Sequence, residues 1–184
     1  FYFAEIAQKG QQLEDILPAL INQLITEFPW PKSQRWATSK VTWVRPIHHL
    51  NVLIDGSALV GQIDLGGEMM LPFTDKTVGH PFYHPSEIII KDFSHYIDAM
   101  RAGFVIVDRD ERRDLILNQA QKIASDKGLH LREDNSLLDE VCGLVEWPVV
   151  LCGRIDDKFM TLPGEVLVTS MRVHQKYFAL EDSK

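Results

Sequence analysis

Apolar side chains at Leu13, Ile16, Leu17, Leu20, Ile21, Leu24, Ile25 and Phe28 recur at three- and four-residue spacing. That period lines them up along one stripe of an α-helix, which is stable only when another layer packs against it. Pro18 interrupts the pattern, so the regular helix is expected to begin near Leu17 with Pro18 at its first position. Pro29 and Pro31 end it. The opposing layer is expected from short apolar runs: Val41–Val44, Leu50–Ile54 closed by the turn Asp55-Gly56, and Leu59–Leu65 stopped by Gly66-Gly67. A further strand is read at the start, Phe1–Ala7.

The second half alternates differently. Ile88–Ile90 is a β-branched run, and Asp92 offers an N-cap oxygen for a helix through Met100 that Gly103 ends. Val105–Val107 reads as a strand. Asp108 caps a long helix with Leu115, Ile116, Ala120 and Ile123 on one face, closed by Gly128. Leu137–Val145 reads as a short helix, Val149–Ile155 as a buried strand, Glu165–Val173 as a last helix and Tyr177–Leu180 as a strand. Several strands follow one another before any helix, without a strict βαβ repeat. That favours α+β, a mixed and mostly antiparallel sheet with flanking helices, in one domain over residues 1–184.

Charge is distributed unevenly. The chain carries a formal net charge of −7, which argues against non-specific nucleic-acid binding by the whole surface. Yet Phe28 to Ile54 contains no acidic residue, and Lys32, Arg35, Lys40 and Arg45 stand there among Trp30, Trp36 and Trp43, followed by His48 and His49. Such a stretch can attract phosphates, with guanidinium or indole faces for unpaired bases. The alternative is that the indoles belong to the core and the cations reach from them into water. Composition leaves both open. Lys32, Arg35, Arg45 and His48 are the candidate RNA-binding residues.

Other signals are weaker. No phosphate-binding glycine loop, dinucleotide fingerprint or nucleophile elbow is present, so no catalytic residue is assigned. His80 and His84 have helical metal-ligand spacing, but Pro81 and Pro85 break a helix there, and turn or packing histidines are expected instead of a metal site. Arg109, Arg112 and Arg113 sit among acids and read as a face of local ion pairs. Cys142 and Cys152 lie in apolar runs and read as buried reduced thiols of a cytoplasmic protein. No run approaches the ~18 apolar residues of a membrane span. Both ends read as cuts in a longer polypeptide.

Four groups of residues, taken together, carry a resemblance: P-K-S-Q-R-W (Pro31–Trp36) with V-R-P-I-H (Val44–His48), T-V-G-H-P-F (Thr77–Phe82), L-L-D-E-V-C-G-L-V-E-W-P-V-V-L (Leu137–Leu151) and L-P-G-E-V-L-V-T-S-M-R-V-H-Q-K-Y-F (Leu162–Phe178). In this order they resemble the β subunit of the bacterial heterotetrameric glycyl-tRNA synthetase, over nearly the whole chain. Pro81 departs from the family's G-H-R-F, so no role is carried to that position.

The resemblance implies a B3/B4-like domain, similar to one in the β subunit of phenylalanyl-tRNA synthetase. It implies the α subunit and glycine tRNA as partners, with ATP and Mg²⁺ used by the α subunit and no cofactor in this chain. Three roles stay open: a non-catalytic module that helps position tRNA or neighbouring domains, an editing-type esterase acting on mischarged tRNA, and a purely architectural spacer. No nucleophile–base pair stands at convincing spacing for the second, and glycine leaves a sieve nothing smaller to reject.

Overall fold

The apolar stripe forms helix α1, Leu13–Glu27, one turn earlier than the proline had implied. Pro18 lies inside it, and the N–H that Pro18 lacks would have reached the carbonyl of Glu14, an exposed residue that water can solvate. Glu14 and Asp15 occupy the first turn, where carboxylates complement the helix dipole. The helix ends before Pro29, as expected.

The structure is a computed structural model that describes residues 3–4 and 9–182. The strand expected at Phe1–Ala7 falls mostly outside them. The chain divides into two compact units, Phe1–Val78 with Ser86–Tyr96, and Gly79–Pro85 with Ile97–Lys184.

In the first unit, α1 faces short strands. These are β1 (Leu50–Asn51), β2 (Leu53–Ile54), β3 (Ser57–Ala58), β4 (Gln62–Asp64), β5 (Met70–Thr74), β6 (Lys76–Val78) and β7 (Glu87–Ile89). β5 is central, parallel to β1 and antiparallel to β4, with Ile63 opposite Leu71. β2 and β3 form a hairpin whose turn, Asp55 and Gly56, has both φ angles positive, the geometry that matches strand twist. β6 pairs antiparallel with β7. Asn51 donates from Nδ2 to the carbonyls of Thr74 and Lys76, both at 3.1 Å, so one amide joins the end of β5 to β6.

Sequence reasoning missed β5 because Pro72 sits in it. The strand survives because donors alternate between its two edges. The N–H of Phe73 reaches the carbonyl of Gly61 at 2.9 Å, so the nitrogen of Pro72 points away from β4. The core of this unit is Ile25, Val52, Leu59, Ile63, Leu65, Leu71 and Phe73, with Trp36, Trp43 and Ile47 packed against it. The expected strand at Val41–Val44 reduces to one antiparallel bridge between Gln34 and Trp43. Its start is diverted, because the N–H groups of Lys40 and Val41 both turn to the carbonyl of Leu65, at 2.7 and 3.2 Å.

Helix α2 (Phe93–Ala102) is capped by Asp92, which accepts from the N–H of His95 at 2.8 Å. In the second unit, α3 (Arg109–Asp126) is capped by Asp108 and α4 (Asn135–Cys142) by Asp134. Then come α5 (Gly164–Ser170), a π-helical turn over Met171–Gln175, and the pair β8 (His130–Leu131) with β9 (Leu180–Glu181). Ile116, Leu138 and Cys142 form the core between α3 and α4. Gly79 and Gly103 meet backbone to backbone; a Cβ on Gly79 would lie 2.5 Å from the Gly103 carbonyl, which accepts from the N–H of His80 at 2.7 Å.

Three expectations fail here. Val105–Val107 forms no strand and is held through the N–H of Ile106 on the Glu146 carbonyl. Val149–Ile155 forms no strand, and Leu151 is 85% exposed. Cys142 is buried, but Cys152 is exposed because that segment does not pack. The α+β class with mostly antiparallel pairing is as expected.

Gly67 has φ +62°, and a Cβ there would lie 1.9 Å from the Thr38 carbonyl, whereas Gly128 has φ +68° and open space. Gly67→Ala is expected to cost about 3 kcal/mol or more, against about 1 kcal/mol for Gly128→Ala. Urea denaturation of the two variants checks this, and equal losses would show that the Thr38 contact does not constrain the loop.

The carboxylate of Asp134 binds the Arg172 guanidinium and accepts from the N–H of Leu137, and both hold its pKa below the ordinary value, the arginine most. Its folded-state pKa is therefore below its unfolded one. The stability it adds is full above about pH 3.9 and is lost as pH falls through the lower folded value. Asp134→Asn is expected to lower the urea midpoint at pH 7, with the gap to the unsubstituted protein closing below pH ~4. A gap independent of pH would exclude the ionised pair as its source.

Candidate nucleic-acid interface

The acid-free stretch begins where α1 stops. Phe28 leaves the helix in extended conformation, and the N–H of Trp30 returns to its carbonyl at 2.9 Å, a tight turn that Pro29 favours. The Gln34–Trp43 bridge, with bonds of 2.8 and 3.1 Å, then lays the two arms of the stretch side by side. Lys32 stands two residues before one end of the bridge and Arg45 two residues after the other. Between the arms the chain reverses at Ala37, which has φ +46°.

The loop is fixed from beneath. Ser39 is buried; its Oγ accepts from the N–H of Val41 at 3.1 Å and donates toward the carbonyls of Leu65 and Val41 at 3.2 and 3.1 Å. The indole of Trp36 packs on the core, as does Trp43. Trp43 also meets Trp30 edge-on at 4.9 Å and Phe28 at 5.6 Å, and Phe28 meets Trp30 at 4.5 Å. All three tryptophans are half-buried. The rings are thus the attachment of the stretch to the unit, and the cations are what it shows to water.

Lys32, Arg35, Arg45 and His48 are all exposed. Among the described residues, none of the four has an ion pair or side-chain hydrogen bond. The contrast with the other arginines is sharp. Arg101, Arg109, Arg113, Arg132, Arg154 and Arg172 each pair with a carboxylate. Arg112 donates to the carbonyls of Val107, at 2.9 Å, and Cys142, at 3.3 Å, tying the start of α3 to the end of α4. The expected ion-pair face at Arg109–Arg113 is therefore present, with Arg112 in a further, structural role. Only the acid-free stretch leaves guanidinium groups without protein partners, among the described residues.

The structure does not gather all four candidates at one point. His48 lines a separate cleft of about 230 Å³, with His49, Lys76 and Glu87 around an apolar floor that includes Leu71 and Val78. Lys76, 2.9 Å from Glu87, was missed because its strand was missed. In the second unit a cleft of about 570 Å³ opens beside α3, β8 and α4. Two of its charged residues are already engaged, Arg132 by Glu181 and Asp134 by Arg172.

His80 is a turn residue, as expected. Its Nδ1 accepts from the N–H groups of Phe82 and Tyr83 at 3.2 and 3.3 Å, and its ring lies 4.7 Å from that of Tyr83. Pro81 sits exposed in that turn. Among the described residues no cluster of three or more His, Cys, Asp or Glu is placed to hold a metal. No helix among them is long and apolar enough to cross a membrane.

Trp43 has two aromatic neighbours and the bridge, whereas Trp36 has the core alone. Trp43→Ala is expected to cost about 3 kcal/mol and Trp36→Ala about 2 kcal/mol, both less than full burial would give. Chemical denaturation of the pair tests this, and a larger loss at Trp36 would mean that the three-ring cluster is not the anchor.

A family model described as glycyl-tRNA synthetase beta subunit matches residues 1–184. The chain is similar to the glycine–tRNA ligase beta subunit of Rhodospirillum centenum, 44% identical over 203 residues, covering 100% of this chain and 28% of the relative. It is 40% identical over 186 residues to the protein of that name in Ruegeria, covering 100% and 26%, and 35% identical over 182 residues to that of Rickettsia akari, covering 99% and 27%. The chain spans about a quarter of the length of the curated relatives it matches. It belongs to the glycyl-tRNA synthetase beta subunit family.

Proposed function

We propose that the chain is a non-catalytic, B3/B4-like domain of the β subunit of a heterotetrameric glycine–tRNA ligase, and that its acid-free stretch helps position tRNA. Family membership supports the ligase assignment. The observation that carries the positioning role is the set of exposed cations at Lys32, Arg35 and Arg45 without protein partners among the described residues. Desolvating a paired cation costs its existing interaction, whereas a free one can exchange only water and counterions for a phosphate. In a chain of net charge −7, such a face also fixes the orientation in which RNA approaches.

Under this reading the partners are the α subunit and glycine tRNA, and the assembly works in the cytoplasm. ATP and Mg²⁺ are used on the α subunit, and this chain holds neither. The side chains here bind and orient; none supplies a nucleophile or general base.

Replacing Lys32, Arg35 and Arg45 together by Ala in the complete α and β enzyme is expected to weaken glycine tRNA binding about tenfold or more. The slope of log affinity against log salt should fall by up to about three charges, and glycine-dependent pyrophosphate exchange should be unchanged. Fluorescence anisotropy over a salt series reads both quantities. Unchanged affinity and slope would reduce the stretch to a solvated face and leave the architectural role in place.

A further inference from the structure

The segment that follows Pro148 reads V-V-L-C-G-R-I and has the composition of an internal strand. Over Val149–Leu151 its side chains already alternate. Val150 packs against the Ile116–Leu138–Cys142 core, and its N–H reaches Oε1 of Gln119 at 3.3 Å. Val149 and Leu151, on either side of it, are 61% and 85% exposed. A strand with one face on the core and polar residues outward is complete as it stands; one with valine and leucine outward is built to be covered.

The main chain tells the same story. From Leu151 to Ile155, no N–H or C=O bonds another backbone group among the described residues. Little blunts the segment as an edge: residues 149–155 include no proline, Pro148 stands just before them, and their one charge, Arg154, is near the far end and paired with Asp157. The apolar exposure continues at Phe159, Met160 and Leu162. An unpaired main chain of high β propensity, with an apolar outer row, is the acceptor half of a strand-addition contact.

We propose that residues 149–155 are a strand in the parent polypeptide, paired through the main chain by a segment of the same polypeptide from outside residues 1–184. The relatives carry roughly three quarters of their length outside the matched region. A tethered segment acts at an effective concentration of about millimolar, which favours it over a second copy or another subunit at cellular levels. The inference rests on family membership and does not depend on RNA reaching the Lys32–His48 stretch.

Hydrogen exchange of the full-length β subunit, followed on peptides covering 149–155, tests it together with alkylation of Cys152, whose thiol is exposed in this structure. In the isolated full-length β subunit, amide exchange at Leu151–Ile155 is expected to be at least about a hundredfold slower than for an open chain. Cys152 labelling is expected to be slowed to a similar degree, and neither rate should change on dilution or on adding the α subunit. Fast exchange in β alone that slows only with the α subunit assigns the cover to that subunit and overturns the proposal. Protection that disappears on dilution assigns it to a second copy, and fast exchange throughout means that no strand pairs there; each also overturns it.

Discussion

The carbonyl of Leu65 organises the first unit. Leu65 is fully buried, and its oxygen is the focus of the Lys40 and Val41 N–H groups and the Ser39 hydroxyl. A carbonyl has two lone pairs, so the two amides already occupy it; the Ser39 proton has the Val41 carbonyl as its second acceptor. Buried polar groups left unpaired are costly, so this cluster forms complete or not at all. It holds the chain reversal at Ala37 against the sheet, and Gly67 must lack a side chain because the Thr38 carbonyl lies where its Cβ would be. The exposure of Lys32, Arg35 and Arg45 follows from a loop pinned at its tip and by its indoles.

The two units use arginine differently. In the second, arginine is a structural residue: Arg172 holds the carboxylate that caps α4, Arg113 reaches Asp139 and Asn135 on that helix, and Arg112 covers carbonyls at the ends of two helices. Such exposed or half-exposed pairs each contribute little, but they fix helix ends to one another. In the first, Arg35 and Arg45 are exposed and have no ion-pair or hydrogen-bond partner for their charges, among the described residues. Counting basic residues along the chain would not separate these roles. Partnering does.

Helices were legible because their signals are local. The Asp92 and Asp108 caps, the stripes of α1 and α3, and the stop at Gly128 depend on residues within a turn or two. Pro18 misled by one turn, since its cost depends on whether the orphaned carbonyl meets water. The candidate cations were also legible, from an acid-free stretch in an acidic chain. That they would be unpaired was not, because it depends on where the carboxylates fold.

The sequence by itself determined which residues are apolar, where helices form and where α1 and α3 stop, and where positive charge concentrates. Tertiary structure decided which apolar runs became strands. Met70–Thr74 is interrupted by Pro72 and still became the central strand, because β1 and β4 were there to pair with it and the missing donor faced away from β4. Val149–Ile155 has far stronger β propensity and remained unpaired, because no strand among the described residues lies beside it. A strand is a relation between two segments. Propensity can prepare one side of that relation, but only the fold, or a longer chain, provides the other.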